Sequence, residues 1–253
     1  DTDWGADLTI MEEGTEFINR VKNGGVLPMI TSCSPGWVKY CEHYFQDMLD
    51  NLSSCKSPQQ MFGAIVKTYY AQKMGWDPKD IVMVSAIPCT AKKFEVGRPD
   101  QAAAGVPDVD FAITTRELGR MIHRAGINFR ALEDAQFDEP FGIGSGAGAI
   151  FGATGGVMEA ALRYAAEAIL GKKLEKVDFT EVRGVEGIKT ASYKLGDLTV
   201  NVAVASSTGM AKKLLNMVKA GELDVQFIEI MGCPGGCVNG GGQPIQPASV
   251  RMN

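Results

Sequence analysis

Histidine is almost missing from this chain: His43 and His123 are the only two in 253 residues. A histidine-based zinc hydrolase is therefore poorly supported, because such a site draws two or three imidazoles onto one ion. No apolar run approaches the roughly 20 residues that span a bilayer. The first residues, Asp1-Thr2-Asp3-Trp4, have neither the basic nor the apolar region of an export signal. The expectation is a soluble, cytoplasmic protein with no membrane partner. A basic stripe is absent too. With a net charge of -5 and both signs scattered, nothing is arranged to neutralise a row of phosphates, and nucleic acid is not an expected partner. Internal repeats and low-complexity linkers are also lacking. What is present is a composition 45% hydrophobic, enough for one large domain or two lobes with a continuous core. The chain does not start with Met, and the expectation is a core piece of something longer.

Six cysteines without an export signal point to ligands or redox thiols rather than a disulfide framework. Cys33, Cys89, Cys233 and Cys237 stand beside Gly and Pro in expected loops, whereas Cys41 and Cys55 lie beside helical pattern and read as packing residues. Helices are expected over Ile10–Val21, from Ser57-Pro58-Gln59-Gln60 to about Lys73, from Thr114-Thr115-Arg116-Glu117 to about Ala125, over Val157–Leu170 and from Met210 to Ala220. The second and third of these begin with capping boxes. Strands are expected at Val26–Thr31, Ile81–Ala86, Phe111–Thr114, Val200–Val204 and Val225–Met231. The run Ile81–Ala86 has the unbroken apolar character of a buried parallel strand. The rhythm is α/β: two lobes, roughly 1–125 and 126–253, with mostly parallel sheets flanked by helices. Cysteines at the ends of three strands converge if those strands share a crevice.

The sharpest element is Glu229-Ile-Met231-Gly-Cys233-Pro-Gly-Gly-Cys237-Val-Asn-Gly-Gly-Gly-Gln-Pro244. Two thiols separated by three residues in so glycine-rich a loop can wrap one edge of a cubane while backbone N–H groups approach its sulfides. A zinc knuckle or redox disulfide more often has two intervening residues. The stretch Gly142-Ile-Gly-Ser-Gly-Ala147 loosely matches a dinucleotide fingerprint, but it follows no clear strand and lacks the distal acid, so nucleotide binding is not expected. Glu13, Glu16 and Arg20 recur at helical spacing along one face, which on its own is a solvated face and in the right setting a proton relay.

The cysteine loop, together with Thr31-Ser-Cys33-Ser34-Pro-Gly-Trp37 and Pro88-Cys89-Thr-Ala-Lys92-Lys-Phe-Glu95, resembles the three signature segments of iron-only hydrogenases in the order that family shows. The likeness extends to Thr9–Gly14, Lys56–Gln60 and Ser145–Gly156, and so over nearly the whole chain. It implies a catalytic domain whose H-cluster, a 4Fe-4S cubane joined through cysteine to a diiron subcluster with CO, cyanide and a bridging azadithiolate, sits in the cleft between the lobes. By this resemblance Cys89, Cys233 and Cys237 ligate the cubane and Cys237 also bridges to the diiron unit. Lys92 donates to a cyanide, while Pro58, Gln59, Phe151 and Met231 line the cavity, with Ile87 where the family commonly has Met. Glu13, Glu16, Arg20 and Ser53 carry protons between solvent and the Cys33 thiol. The implied reaction is the reversible oxidation of H2, sensitive to oxygen. The implied partners are ferredoxin or an NAD(P)-linked subunit, other iron-sulfur domains or subunits, and maturation factors.

One departure stands out. Where the family has adjacent cysteines, this chain has Cys33-Ser34. Aligned without a gap, the relay thiol stays and the fourth cubane ligand becomes Ser34, a harder donor that ionises far less readily. Shifted by one residue, Cys33 ligates iron and the relay is lost; the matching flanks favour the ungapped alignment. Ser34 also keeps open a non-catalytic alternative, a hydrogen sensor or a relative of the iron-sulfur assembly factors.

Overall fold

The computed structural model describes residues 1–171, 182, 187–195 and 198–251. Helix α1 (Thr2–Asn23) starts well before the expected Ile10, because Asp1 accepts the Asp3 amide and caps a turn the apolar pattern does not reveal. It is followed by the short strand β1 (Met29–Ile30) and by α2 (Pro35–Tyr44). Next come α3 (Pro58–Ile65), which runs through a π-helical turn, Val66–Tyr70, into α4 (Ala71–Met74), then β2 (Val84–Ile87), α5 (Lys92–Glu95), β3 (Phe111–Thr114) and α6 (Thr115–Arg124). The second half holds α7 (Gly146–Ile150), α8 (Gly156–Leu170), β4 (Ile188–Leu195), β5 (Leu198–Ser206), α9 (Thr208–Lys219), β6 (Phe227–Met231) and α10 (Ala248–Arg251). Strand β4 has no counterpart among the strands expected from the sequence.

One sheet has the order β1-β6-β5-β4, parallel except for the antiparallel β4–β5 pair, and a second joins β2 to β3 in parallel. The two sheets do not divide near residue 125, since β1 is the edge strand of the sheet built otherwise from the second half. Period-two alternation explains how that sheet is buried on both faces. Val200, Val202, Val204 and Phe227 meet Phe17 of α1 and Met158 and Leu162 of α8, while Ala203, Ala205, Ile228 and Ile230 meet Trp37 of α2 and Leu214 and Leu215 of α9. Glu229 and Met231 share a face with Phe227, and they are therefore aimed toward the start of α8.

Two expectations need correction. The apolar run at 81–86 is not a buried strand: Val82 is 65% exposed, Val84 52% and Phe111 61%, because among the described residues nothing covers the outer face of the two-stranded sheet. Ser57 is the N-cap of α3, but it makes no capping bond; its hydroxyl donates instead to Glu95 at 2.8 Å, and among the described residues the Gln60 side chain has no hydrogen-bond partner. The Thr114–Glu117 capping box does form.

Candidate active site

The strand ends gather the signature segments. Beyond β1 the chain stays in register with β6, the Thr31 amide donating to the Ile228 carbonyl at 3.0 Å and the Ile230 amide to the Thr31 hydroxyl at 3.1 Å. This sets Cys33 beside Met231, in one apolar cluster with Ile10, Phe151 and the edge of Cys237. Ser34 is 5% exposed, and its hydroxyl accepts the Gly232 amide at 3.0 Å, immediately before Cys233. From the other side, the loop after Cys237 reaches Cys89: the Gly242 amide donates to the Pro88 carbonyl at 2.7 Å, and a Cβ at Gly240 would lie 2.4 Å from that same oxygen. Gly236, at φ +95°, approaches the Gly152 carbonyl so closely that a Cβ would sit 2.4 Å from it. Only glycine permits both that backbone and that contact.

Burial pushes the Cys237 thiol up to about 12; Lys92 opposes the shift, and charge on Cys89 and Cys233 adds to it. Cys89 and Cys233 are thus both within electrostatic reach of Cys237. Among the described residues no three His, Cys, Asp or Glu side chains close around a single ion. A cubane offers each of its iron corners to a separate donor, so dispersed thiols with glycine-thin backbone between them fit that group and do not fit a zinc knuckle.

Lys92 is 3% exposed and spends its ammonium on the Cys33 carbonyl at 3.0 Å and on both Glu95 oxygens at 3.1 and 3.0 Å. Glu95 also takes the Ser57 hydroxyl and the Gln59 amide, the latter at 2.7 Å. One buried carboxylate therefore sets the aim of Lys92, Ser57 and Gln59 together. Among the described residues the Gln59 carbonyl oxygen has no partner, an unmet acceptor beside this cluster. Pro58 is buried against α1, whereas Ile87 is only half-buried and lies outside the apolar cluster of Phe151 and Met231.

The α1 face runs inward as a gradient. Arg20 pairs with Glu16 at 2.6 Å and donates to the carbonyls of Val26, Asp50, Asn51 and Leu52. Glu16 accepts the Ser53 hydroxyl at 2.9 Å and the Ser54 amide, and a surface pocket lined by Glu12, Thr15, Glu16, Arg20 and Cys55 opens it to solvent. The Glu16 carboxyl is held below its ordinary value: burial alone would raise it, and the bonds from Ser53, Arg20 and Ser54 together outweigh that. Glu13 is fully buried; among the described residues neither oxygen meets full hydrogen-bond geometry, but the Ser53 hydroxyl lies near enough to pull its carboxyl down, and burial overrides that and lifts it from 4.5 to about 7. Beyond it, burial and the neighbouring Glu13 raise the Cys33 thiol well above its usual range.

Several groups at the site carry no clear mark in the sequence. Cys55 is more than a packing residue, since its thiol donates to Glu16 at 3.7 Å; Cys41 does lie in the apolar core. Glu229 is fully buried, accepts the Gly155 and Met158 amides at 2.7 Å each, and is raised to about 7 by burial. A lone carboxylate in an otherwise apolar strand is the one signal that could have found it. Ser206, beneath the cysteine loop, has none. His43 and His123 are exposed.

Comparison with known proteins agrees with this geometry. The family model described as the iron only hydrogenase large subunit, C-terminal domain, matches residues 1–241. The NADP-reducing hydrogenase subunit HndD of Solidesulfovibrio fructosivorans is 52% identical across 100% of this chain and 44% of its own length. The periplasmic [Fe] hydrogenase large subunit of Nitratidesulfovibrio vulgaris is 50% identical across 99% of the chain and 60% of its own. The chain thus spans about half the length of these curated relatives. The solved apo [FeFe]-hydrogenase HydA1 of Chlamydomonas reinhardtii superposes with a TM-score of 0.84 at 43% identity, covering 100% of this chain and 71% of that one. Cytosolic iron-sulfur assembly component 3 of Mus musculus is more distant, at 31% identity over 96% of the chain and 53% of its own length. From its signature segments, its fold and these matches, the chain belongs to the iron-only hydrogenase large-subunit, C-terminal domain family.

Proposed function

We propose that this chain is the catalytic domain of an enzyme that reversibly oxidises H2 to two protons and two electrons. The observation that carries the reading is the graded succession Arg20–Glu16–Ser53–Glu13–Cys33, from solvent to a buried thiol beside the gathered cysteines. Cys89, Cys233 and Cys237 would hold the cubane, with Ser34 as the candidate fourth donor and Cys237 the residue that would also serve the diiron unit. Ser34 keeps its proton and a lone pair after accepting from Gly232, and the burial of Cys33 among Phe151 and Met231 supports the ungapped alignment. When bound, the cofactor supplies the open iron and the basic amine that split or form H2, and the cubane passes the electrons. The protein's part is to move protons and exclude water. Cys33 and Glu13 hold a proton in a dry interior, Ser53 links them to Glu16, and Arg20 fixes Glu16 at the surface. Phe151 and Met231 wall the cavity. Lys92 can turn one of its Glu95 bonds toward a cyanide while staying ion-paired. Ferredoxin or an NAD(P)-linked subunit takes the electrons, maturation factors install the diiron unit, and the setting is anaerobic and cytoplasmic; a relative named periplasmic leaves the compartment to be tested by fractionation.

Ser34 favours one rival, a non-catalytic sensor or assembly-type protein on the same fold. Infrared spectroscopy of the anaerobically matured protein, in the region where metal-bound CO and cyanide absorb, separates the two when H2 evolution from a reduced dye is assayed on the same sample. Bands with turnover are expected. Bands without turnover support the rival, and no bands after competent maturation sink the diiron assignment.

A further inference from the structure

Ser206 ends β5 opposite Met231 and is 5% exposed. Three segments meet at its hydroxyl: it donates to the Cys233 carbonyl at 3.1 Å and accepts the Gly235 amide at 3.0 Å and the Thr154 hydroxyl at 3.2 Å. One donated hydrogen and two accepted bonds exhaust a hydroxyl's capacity, so its orientation is fully determined. The brace continues on both sides. The Thr154 amide returns to the Gly235 carbonyl at 3.3 Å, and Ala153 bridges Gly236. Glu229 holds the Gly155 and Met158 amides, fastening the far end of the same turn to β6. The strand end is equally fixed, because Ser207, a non-glycine residue at φ +94°, donates its amide to the Met231 carbonyl at 2.7 Å and caps α9 with its side chain.

We propose that Ser206, backed by Thr154, is the positioning residue of the cubane-binding loop: it fixes the backbone between Cys233 and Cys237 and withholds the Gly235 N–H from the cluster. The inference rests on the reading of Cys233 and Cys237 as cluster ligands. Its consequence is electrostatic as well as mechanical. N–H groups turned to cluster sulfur favour the reduced, more negative state and raise the potential. An N–H engaged by Ser206 cannot do so, and the cubane is more reducing than it would be with that N–H free.

The test uses the protein reconstituted anaerobically with iron and sulfide, without the diiron unit, so that the cubane is read by itself. Iron loss to a chelator and the reduction potential from an EPR-monitored titration are compared among variants. Ser206→Ala is expected to lose iron about tenfold faster, the scale of outer-shell effects on metal sites, and to shift the potential upward as the Gly235 N–H is released. Thr154→Val should move both readouts the same way by less, and Thr154→Ser, which keeps the hydroxyl, should match the parent. Native release and potential in Ser206→Ala would overturn the proposal. Should that variant not fold, an unchanged Thr154→Val, or a Thr154→Ser as perturbed as Thr154→Val, overturns it equally. If the parent chain takes up no cubane, the ligand assignment fails first, an outcome distinct from a stable cubane indifferent to Ser206.

Discussion

Glu13→Gln should make the cofactor-free protein more stable above neutral pH while disabling the relay. Glu13 is fully buried, and burial lifts its carboxyl from 4.5 to about 7, outweighing the lowering pull of the nearby Ser53 hydroxyl and Ser32 backbone. Between those values the folded protein binds the proton more tightly than the unfolded chain, so stability falls as pH rises through the interval and levels off above it. At about 1.4 kcal/mol for each pH unit of that interval, the ionised side chain costs about 3 kcal/mol near pH 8 and under about 1 kcal/mol near pH 5. Glutamine keeps the shape, never ionises and leaves the surrounding hydrogen bonds in place. Anaerobic urea unfolding of parent and variant at pH 5, 6, 7 and 8 should therefore show curves that nearly coincide at pH 5 and separate by about 3 kcal/mol at pH 8, with Glu13→Gln the more stable. In the matured enzyme the same variant should lose H2 turnover by at least about 100-fold, the lower range for a positioned proton carrier. A pH-independent difference, or a variant less stable at pH 8, would refute the burial argument. Retained turnover would refute the relay.

Three further outcomes are expected. Cys33→Ala should leave cubane content by iron and sulfide analysis unchanged while cutting H2 evolution about 100-fold or more; loss of iron would instead mean that Cys33 is a ligand. Ser34→Cys, which supplies a thiolate at the fourth corner, should slow iron loss to a chelator, and an unchanged rate would place Ser34 away from the cubane. Lys92→Met strands the buried Glu95 carboxylate and should destabilise the protein by about 3–5 kcal/mol, whereas Lys92→Met with Glu95→Gln should recover most of that in urea unfolding; no recovery would show that the Lys92–Glu95 pair is not the cause.

Much of the site is written locally. The spacing of Cys233 and Cys237, the glycines around them and the Thr114–Glu117 capping box act over a few residues, and their physical meaning survives without knowing what lies opposite. The alternation of Val200, Val202 and Val204 likewise names one buried face before any partner is known. Strand ends followed by Cys33, Cys89 and Cys233 carry the expectation that these cysteines converge, and the order of the signature segments adds the family.

Tertiary structure decided what depends on partners far along the chain. Ser57 is set up to cap its own helix, yet its hydroxyl goes to Glu95, 38 residues on. An apolar run signals burial only if something lies over it, and among the described residues nothing lies over the outer face of β2. Ser206, Glu229 and Cys55 have no special spacing; they matter because β5, β6 and the loop before α3 deliver them to Cys233, to the start of α8 and to Glu16. Apolar periodicity and turn chemistry are local and can be read directly from the chain. A buried hydroxyl or carboxylate acquires its role from whichever donors and acceptors the fold brings within about 3 Å of it, and only the assembled structure determines those.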